Sequence, residues 1–401
     1  MKILFIHQNF PGQFIHLAAA LAKDSRNRVV ALGMNDRPVP KGVEFRRYSL
    51  LRPAESSTHP LLREQESHVL RAEACASAAF QLKQGGFEPD IIVAHPGWGE
   101  ALLIKDVFPN ARIVIYCEYF YALEGQDVGF DPEDPPLSFQ QKAKLRLKNT
   151  TNLLSLQIAD AAISPTVWQR STYPEWARSK IEVIHEGIDT ERLTYQPAAS
   201  LRWRRLDKEH QIAVGDEVFT YVARNLEPVR GFHTFMRALP NILRQRPHAQ
   251  AVIVGGDEVS YGASPVAGTW RQELLNEIAA HTDLNRIHFL GKIAGSDYCK
   301  LLSISRVHTY LTTPFVLSWS MLEAVLSGVH VIASDTAPVR EFAHYDNLEL
   351  TNFFDHEALS KKVIYQLSRE DSHRVKHANA GALSLTETVS AQIKLIKNLL
   401  A

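Results

Sequence analysis

Short, unbroken runs of branched apolar residues recur along this chain, and each is followed by a longer amphipathic stretch. In the first half the runs fall at 3–6, 29–32, 91–94, 112–117, 161–164 and 181–184. Runs of Val, Ile and Leu without polar alternation fit strands buried on both faces, as in a parallel sheet covered by helices. Helical patterns fill the intervals at 13–23, 61–84, 99–107 and 139–159. The same alternation restarts in the second half. Strands are expected at 218–223, 251–254, 287–290, 307–311 and 329–333, and helices at 231–245, 269–281, 296–303, 318–326, 336–343, 356–369 and 386–400. The β-α-β order predicts an α/β fold of two doubly wound, Rossmann-like domains facing each other across a cleft, each aiming the carboxyl ends of its strands at that cleft. The expected junction gives residues 1–180 to the first domain and 181–385 to the second.

Composition narrows the function classes. The chain has 401 residues, enough for two to three domains. Lys plus Arg and Asp plus Glu are 44 each, so the formal charge is zero and the basic excess of a dedicated nucleic-acid binder is missing. The 45% hydrophobic and 22% charged residues are ordinary for a soluble globular protein. Cys75, Cys117 and Cys299 are far apart and form no CxxC pair, which fits a reducing compartment without a zinc knuckle. The opening MKILFIHQNFPGQF reads as a buried strand, not a signal peptide. No apolar run reaches membrane-spanning length, so a cytoplasmic protein with at most peripheral membrane contact is expected.

Three places carry candidate chemistry. No GxGxxG follows the first strand and no GxxxxGK[ST] occurs, so dinucleotide and P-loop readings lack a motif. Gly12, in the first strand-to-helix turn, permits either a close backbone approach to a ligand or simply a tight turn. The segment ARNLEPVRGF places Arg224 and Arg230 in one strand-to-helix loop, where two permanently charged forks suit phosphate oxygens or are merely solvated. In TTPFVLSWSMLEA a helix starts near Ser318, and its free amides and dipole suit an anion. Glu323, further into that helix, suits a sugar hydroxyl or is an ordinary surface glutamate. The loop 122–138 is rich in Gly and Pro and reads as functional, an acceptor-side or lid element.

Together these segments resemble family 4 of the nucleotide-sugar glycosyltransferases, retaining enzymes of the GT-B fold. PFVLSWSMLEAVLSGVHVIASD is the strongest part, supported by VARNLEPVRGF, IVGG, IHFLGKI and VIHEGIDTERL. YCEYFYALEGQDVGFDPEDPP is similar to a bacterial subgroup. The resemblance implies that Arg224 and Arg230 hold the donor diphosphate. It implies that backbone groups of Val316, Leu317 and Ser318 reach sugar and phosphate, that Lys292 and Ile293 lie beside the base, and that Glu323 binds the ribose. Glu323 matches the second glutamate of the family's Glu-x7-Glu motif, whereas the first falls on Phe315, so recognition of the sugar must differ or fail here. Where the family often ends a strand with a histidine, this chain has Glu118. That residue stabilises positive charge at the reacting carbon, orients the acceptor hydroxyl, or is a buried glutamate salt-bridged to an arginine. His95, closing the preceding strand, is a second polar candidate on the acceptor or sugar side. The resemblance also implies that the helix at 386–401 packs back on the first domain.

The resulting expectation is a metal-independent hexosyltransferase or related enzyme of class EC 2.4, with no cofactor beyond its nucleotide-diphosphate sugar. It would act on a glycan, lipid-linked or protein acceptor in bacterial surface polysaccharide or glycoconjugate synthesis. Asp131 and Asp134 have the wrong spacing for an Asp-x-Asp metal motif. Two alternatives stay open: a catalytically silent GT-B subunit that binds or chaperones another transferase, and a GT-B sugar-nucleotide epimerase. Lys142, Lys144, Arg146 and Lys148 alternate through one helix, and spacing of two spreads them around it instead of forming a single membrane-facing stripe.

Overall fold

A computed structural model of the chain describes residues 1–205, 207–369 and 380–401. The chain divides into two units, residues 1–187 with 381–401, and residues 188–380. The division falls after Gly187 instead of at the expected 180/181, and at 381 instead of 385/386.

The first unit is built on β1 (Lys2–Ile6), β2 (Arg28–Gly33), β3 (Val43–Arg47), β4 (Ile91–Ala94), β5 (Arg112–Tyr116), β6 (Ala161–Ser164) and β7 (Ile181–Val183). They form one parallel sheet in the order β3-β2-β1-β4-β5-β6-β7. Side chains alternate across it. Leu4 and Ile6 enter the core on one face, Ile3 and Phe5 the core on the other, and all four are fully buried. Each such burial contributes about 1.5–3 kcal/mol, which is why the runs lack polar alternation. The strand order reverses between β1 and β4, so the loops after them diverge and leave a crevice at the carboxyl edge. The helix Leu385–Leu400 belongs to this unit. Leu395 and Ile396 pack into the core that holds Phe5 and Phe14, and Gln392 Nε2 donates to the His185 carbonyl at 2.9 Å.

The second unit begins with an antiparallel hairpin, β8 (Ser200–Arg205) and β9 (Lys208–Ala213). Six parallel strands follow: β10 (Val218–Asn225), β11 (Gln250–Gly256), β12 (Ile287–Gly291), β13 (Val307–Tyr310), β14 (His330–Ser334) and β15 (Leu348–Thr351). Their order is β12-β11-β10-β13-β14-β15, again reversing beside the first strand of the sheet, β10. β10 runs on to Asn225, so Arg224 stands on the strand's last residues instead of in the expected loop, and the loop after β10 carries Arg230 and ends at Gly231, whose φ is +65°. A Cβ there would lie 2.3 Å from Leu311 Cβ, so glycine is required for conformation and for space. The helix Phe232–Gln245 starts directly after it and is buried along most of its length.

The sequence expectation misses β3, β15 and the hairpin. β3 and β15 are edge strands, and VEFRR and LELT carry charges where a central strand carries Val or Ile. In the hairpin, arginines mask a period-two pattern that buries Leu201 and Ile212. The expected helix at 139–159 is two, Phe139–Lys148 and Thr150–Ile158, divided at Asn149. The expected helices at 99–107 and 336–343 shrink to Ile104–Val107 and Ala337–Arg340.

Candidate functional site

Strand ends in the first unit gather a polar cluster. β1 leads to His7, β4 to His95 and β5 to Glu118. His7 Nδ1 accepts the Asn9 amide at 2.9 Å, so Nε2 carries the proton and donates to Gln13 Oε1 at 2.8 Å. That polarity turns the Gln13 amide nitrogen toward Glu118 Oε1, 2.6 Å away. His95 Nδ1 accepts the Gly97 amide at 3.1 Å, which leaves Nε2 facing Glu118 Oε2 at 3.5 Å. Trp98 stacks on His95 at 4.6 Å and meets His7 edge-on at 5.1 Å. Desolvation pushes the Glu118 carboxyl up, but His95 and Gln13 outweigh it and hold it below the usual range, so it is an anion at neutral pH. Burial, with His95 adding to it, pushes His7 down to about 3, so His7 is neutral. Gly12 sits against the His7 ring, and a Cβ there would come within 2.3 Å of Nε2. Its visible work is to admit this histidine. The chain brings Gly12, His95 and Glu118 into one cluster, as expected from their strand-end positions, and adds His7, Gln13 and Trp98, which sequence reasoning passed over.

In the second unit, Arg230 is 9% exposed beneath the loop after β10. Its Nη1 donates to Thr312 Oγ1 at 2.8 Å and to the Val316 carbonyl at 3.0 Å. Among the described residues its Nε and Nη2 make no hydrogen bond. Phe315 and Tyr261 both lie 5.5 Å from the guanidinium carbon, and the two rings are 4.9 Å apart. Arg224 is exposed and donates from Nη1 to the Tyr261 hydroxyl at 3.1 Å. Tyr261 therefore rests on both arginines. Its loop is held from below by Glu227, a fully buried carboxylate that accepts the amides of Ser260, Tyr261 and Gly262 at 3.2, 3.1 and 3.0 Å. Three successive amides around one carboxylate form a strong, charge-assisted anchor. Glu227 lies inside the quoted ARNLEPVRGF motif, so its position was visible but its role was not. Tyr261 left no signal, because its loop has no periodicity.

The remaining expected residues separate. Glu323 is not a surface glutamate. It is mostly buried and pairs with Arg192 at 2.5 Å, and burial raises its carboxyl above the usual range. Ser318 caps the helix Trp319–Leu326, but its amide does not await an anion, since it donates to the Tyr310 hydroxyl at 2.9 Å. The Val316 carbonyl faces Arg230 and Leu317 is buried. Lys292 pairs with Glu258 at 2.5 Å, and Ile293 packs under the hairpin beside Leu201. The arginine pair, the Phe315–Tyr261 rings and the Glu323–Arg192 pair all stand at the carboxyl edge of this sheet.

Comparisons with known proteins bear on the family and the fold. Residues 25–193 match the model of a glycosyl transferase family 4 group, and residues 204–382 match that of glycosyl transferases group 1. A search of curated proteins returns no match. Among solved structures, sucrose-phosphate synthase from Thermosynechococcus elongatus superposes with a TM-score of 0.69 at 16% identity, covering 100% of this chain and 99% of the other. The UDP-forming α,α-trehalose-phosphate synthase from Burkholderia vietnamiensis gives 0.66 at 13% identity, covering 99% of both chains. The N-terminal domain of trehalose-6-phosphate phosphatase from Candida albicans gives 0.69 at 14% identity, covering 99% of this chain and 96% of the other. At such identities these structures speak for the fold.

The buried histidine generates a pH prediction. Between pH 6.5 and about 3 the unfolded chain binds a proton at residue 7 that the folded chain refuses. Stability from this site is therefore complete above pH 6.5 and falls as pH is lowered. His7→Gln should flatten the stability–pH curve across that window, by at most about 1.4 kcal/mol per pH unit. Urea titrations from pH 7 to 4 measure this, and a slope identical to wild type would contradict the assignment. With a glycosyltransferase model matched on either side of its junction, the chain belongs to the glycosyltransferases of the GT-B fold.

Proposed function

We propose that the protein transfers a glycosyl group from a nucleotide-diphosphate sugar to an acceptor hydroxyl, with retention of anomeric configuration and without a metal ion. The observation that carries this reading is the Arg224–Arg230 pair, with Arg230 fixed through one nitrogen while Nε and Nη2 stay available. As the sugar leaves, negative charge grows on the diphosphate, and preorganised guanidinium groups stabilise that charge without help from a cation. Tyr261 must swing off the arginines as the diphosphate arrives. Glu323 and Arg192 stand ready for the ribose, with Lys292 and Ile293 toward the base. Phe315 and Tyr261 give the sugar an aromatic wall in place of a carboxylate.

In the first unit Glu118, ionised and steadied by His95 and Gln13, stabilises positive charge at the anomeric carbon or orients the acceptor hydroxyl. The acceptor attacks on the face the diphosphate leaves, and a phosphate oxygen takes its proton. Resemblance of the 116–136 segment to a bacterial subgroup supports a role in bacterial surface glycan synthesis. Three free, buried cysteines support a reducing, cytoplasmic setting. No described helix is long and apolar enough to cross a membrane. The silent-subunit reading draws its support from Tyr261, which already occupies the arginine faces, and from Phe315.

A thermal-shift screen against UDP, GDP, ADP and TDP, with and without EDTA, separates the two. One nucleotide should stabilise the protein by about 2.7 kcal/mol at a hundredfold excess over Kd, unaffected by EDTA. The shift should vanish in Arg230→Ala and weaken in the exposed-site variant Arg224→Ala. No shift with any nucleotide would favour the silent subunit. With the donor identified, Glu118→Gln should keep the shift but lower turnover by about 10²–10⁴-fold. Undiminished turnover would make Glu118 structural.

A further inference from the structure

The segment that follows Glu118 runs into a pocket the reading above does not use. Phe120, Tyr121, Leu123 and Leu145 wall it, Arg146, Asn149 and the exposed Glu124 stand at its rim, and its volume is about 420 Å³. Ligand pockets commonly measure about 300–1,000 Å³. The walls are rigid for a stated reason. Segment 118–122 lies beyond the sheet, and its backbone is held by side chains instead of strand partners. Gln169 donates to the Glu118 carbonyl at 2.7 Å and Asn152 to that of Tyr119 at 2.9 Å. Gln126 bridges the Phe120 carbonyl at 2.9 Å and the Ala122 amide at 2.7 Å. Asn149 takes both the amide and the carbonyl of Tyr121, at 2.9 and 2.8 Å. That same asparagine divides the two helices, so the division has a use.

The helix beside the pocket, which supplies Leu145 and Arg146 to its lining, is strongly basic. The helix Phe139–Lys148 carries Lys142, Lys144, Arg146 and Lys148 and no acidic residue. Among the described residues none of the four forms an ion pair. Lys148 Nζ sits 4.2 Å from the centre of the Tyr121 ring, and so roofs the apolar wall with a cation. Phe139, on the first turn, is 77% exposed. The pocket begins two residues after Glu118, at most about 7 Å of chain.

We infer that this pocket holds the apolar part of a phosphate-bearing amphiphile, with the phosphate on Arg146 and Lys148, and that this amphiphile is the acceptor. The acceptor role rests on the glycosyl-transfer reading. In the transfer the acceptor oxygen bonds to the anomeric carbon, the bond from that carbon to the diphosphate oxygen breaks, and the hydroxyl proton leaves with the diphosphate. Apolar walls reward burial of a chain, and unpaired cations reward an anion beside it, so a ligand with only one of these parts binds less well.

Calorimetric titration of the full chain with n-octyl phosphate, n-octanol and inorganic phosphate, all below any micelle threshold, tests this. Octyl phosphate should bind at one site, at least about tenfold tighter than octanol or phosphate. The double variant Arg146→Gln/Lys148→Gln should weaken it about tenfold or more, and Leu145→Asn should weaken it as well. Both variants should retain the nucleotide-induced thermal shift, which shows that they fold. Absence of saturable octyl phosphate binding, or equal binding by the double variant, would overturn the assignment. Flotation with vesicles of 70% phosphatidylcholine and 30% phosphatidylglycerol in the absence of octyl phosphate binding would make the basic helix a membrane-surface contact and also overturn it. Nucleotide shifts without octyl phosphate binding would remove this pocket's role and leave glycosyl transfer standing. Octyl phosphate binding without any nucleotide shift would keep the pocket and remove the acceptor role.

Discussion

Once a chain leaves the carboxyl end of a parallel strand, its amides and carbonyls lose their ladder partners, and burying them unpaired costs about 1–3 kcal/mol each. This constraint shapes both units at the edges where their candidate chemistry lies. In the first, the side-chain amides of Gln126, Asn149, Asn152 and Gln169 take over from the missing strand and hold segment 118–122. In the second, one buried carboxylate, Glu227, gathers three loop amides. The backbone at both edges is therefore tied down by side chains where strand partners end.

Fixed positions make the electrostatics legible. In the first unit, two histidines with Nδ1 tied to backbone amides have no choice of tautomer, and through Gln13 and His95 both orient toward one carboxylate. The result is an ionised Glu118 beside a neutral His7. In the second, Arg230 is locked through one nitrogen and flanked on one side by two adjoining aromatic rings. A locked fork loses little conformational entropy when an anion arrives, and it is already partly desolvated.

The sequence disclosed the parallel sheets because their central strands are buried on both faces and cannot hide among polar residues. Edge strands β3 and β15 and the hairpin β8–β9 were illegible for the opposite reason, since exposure lets Arg, Glu and Lys interrupt the pattern. The site was legible where a side chain stands at a strand end, as with His95, Glu118, Arg224 and Arg230. It was not legible where the role depends on contact between distant segments. Tyr261 matters because it reaches Arg224, Arg230 and Phe315, and no spacing rule joins position 261 to those three. Arg192 matters because it meets Glu323, 131 residues away. The expectation that the Ser318 amide awaits a phosphate failed because Tyr310, one strand end away, already accepts it.

The central claim is that Arg224 and Arg230 hold a diphosphate. Phosphorus NMR of the nucleoside diphosphate that stabilises the protein, titrated with wild-type chain, reports on those phosphates directly. The account predicts that both phosphorus resonances shift or broaden saturably at sub-stoichiometric protein, and that the β-phosphate effect is lost in Arg230→Ala. Resonances that stay at their free positions, or that move equally with the variant, would contradict it.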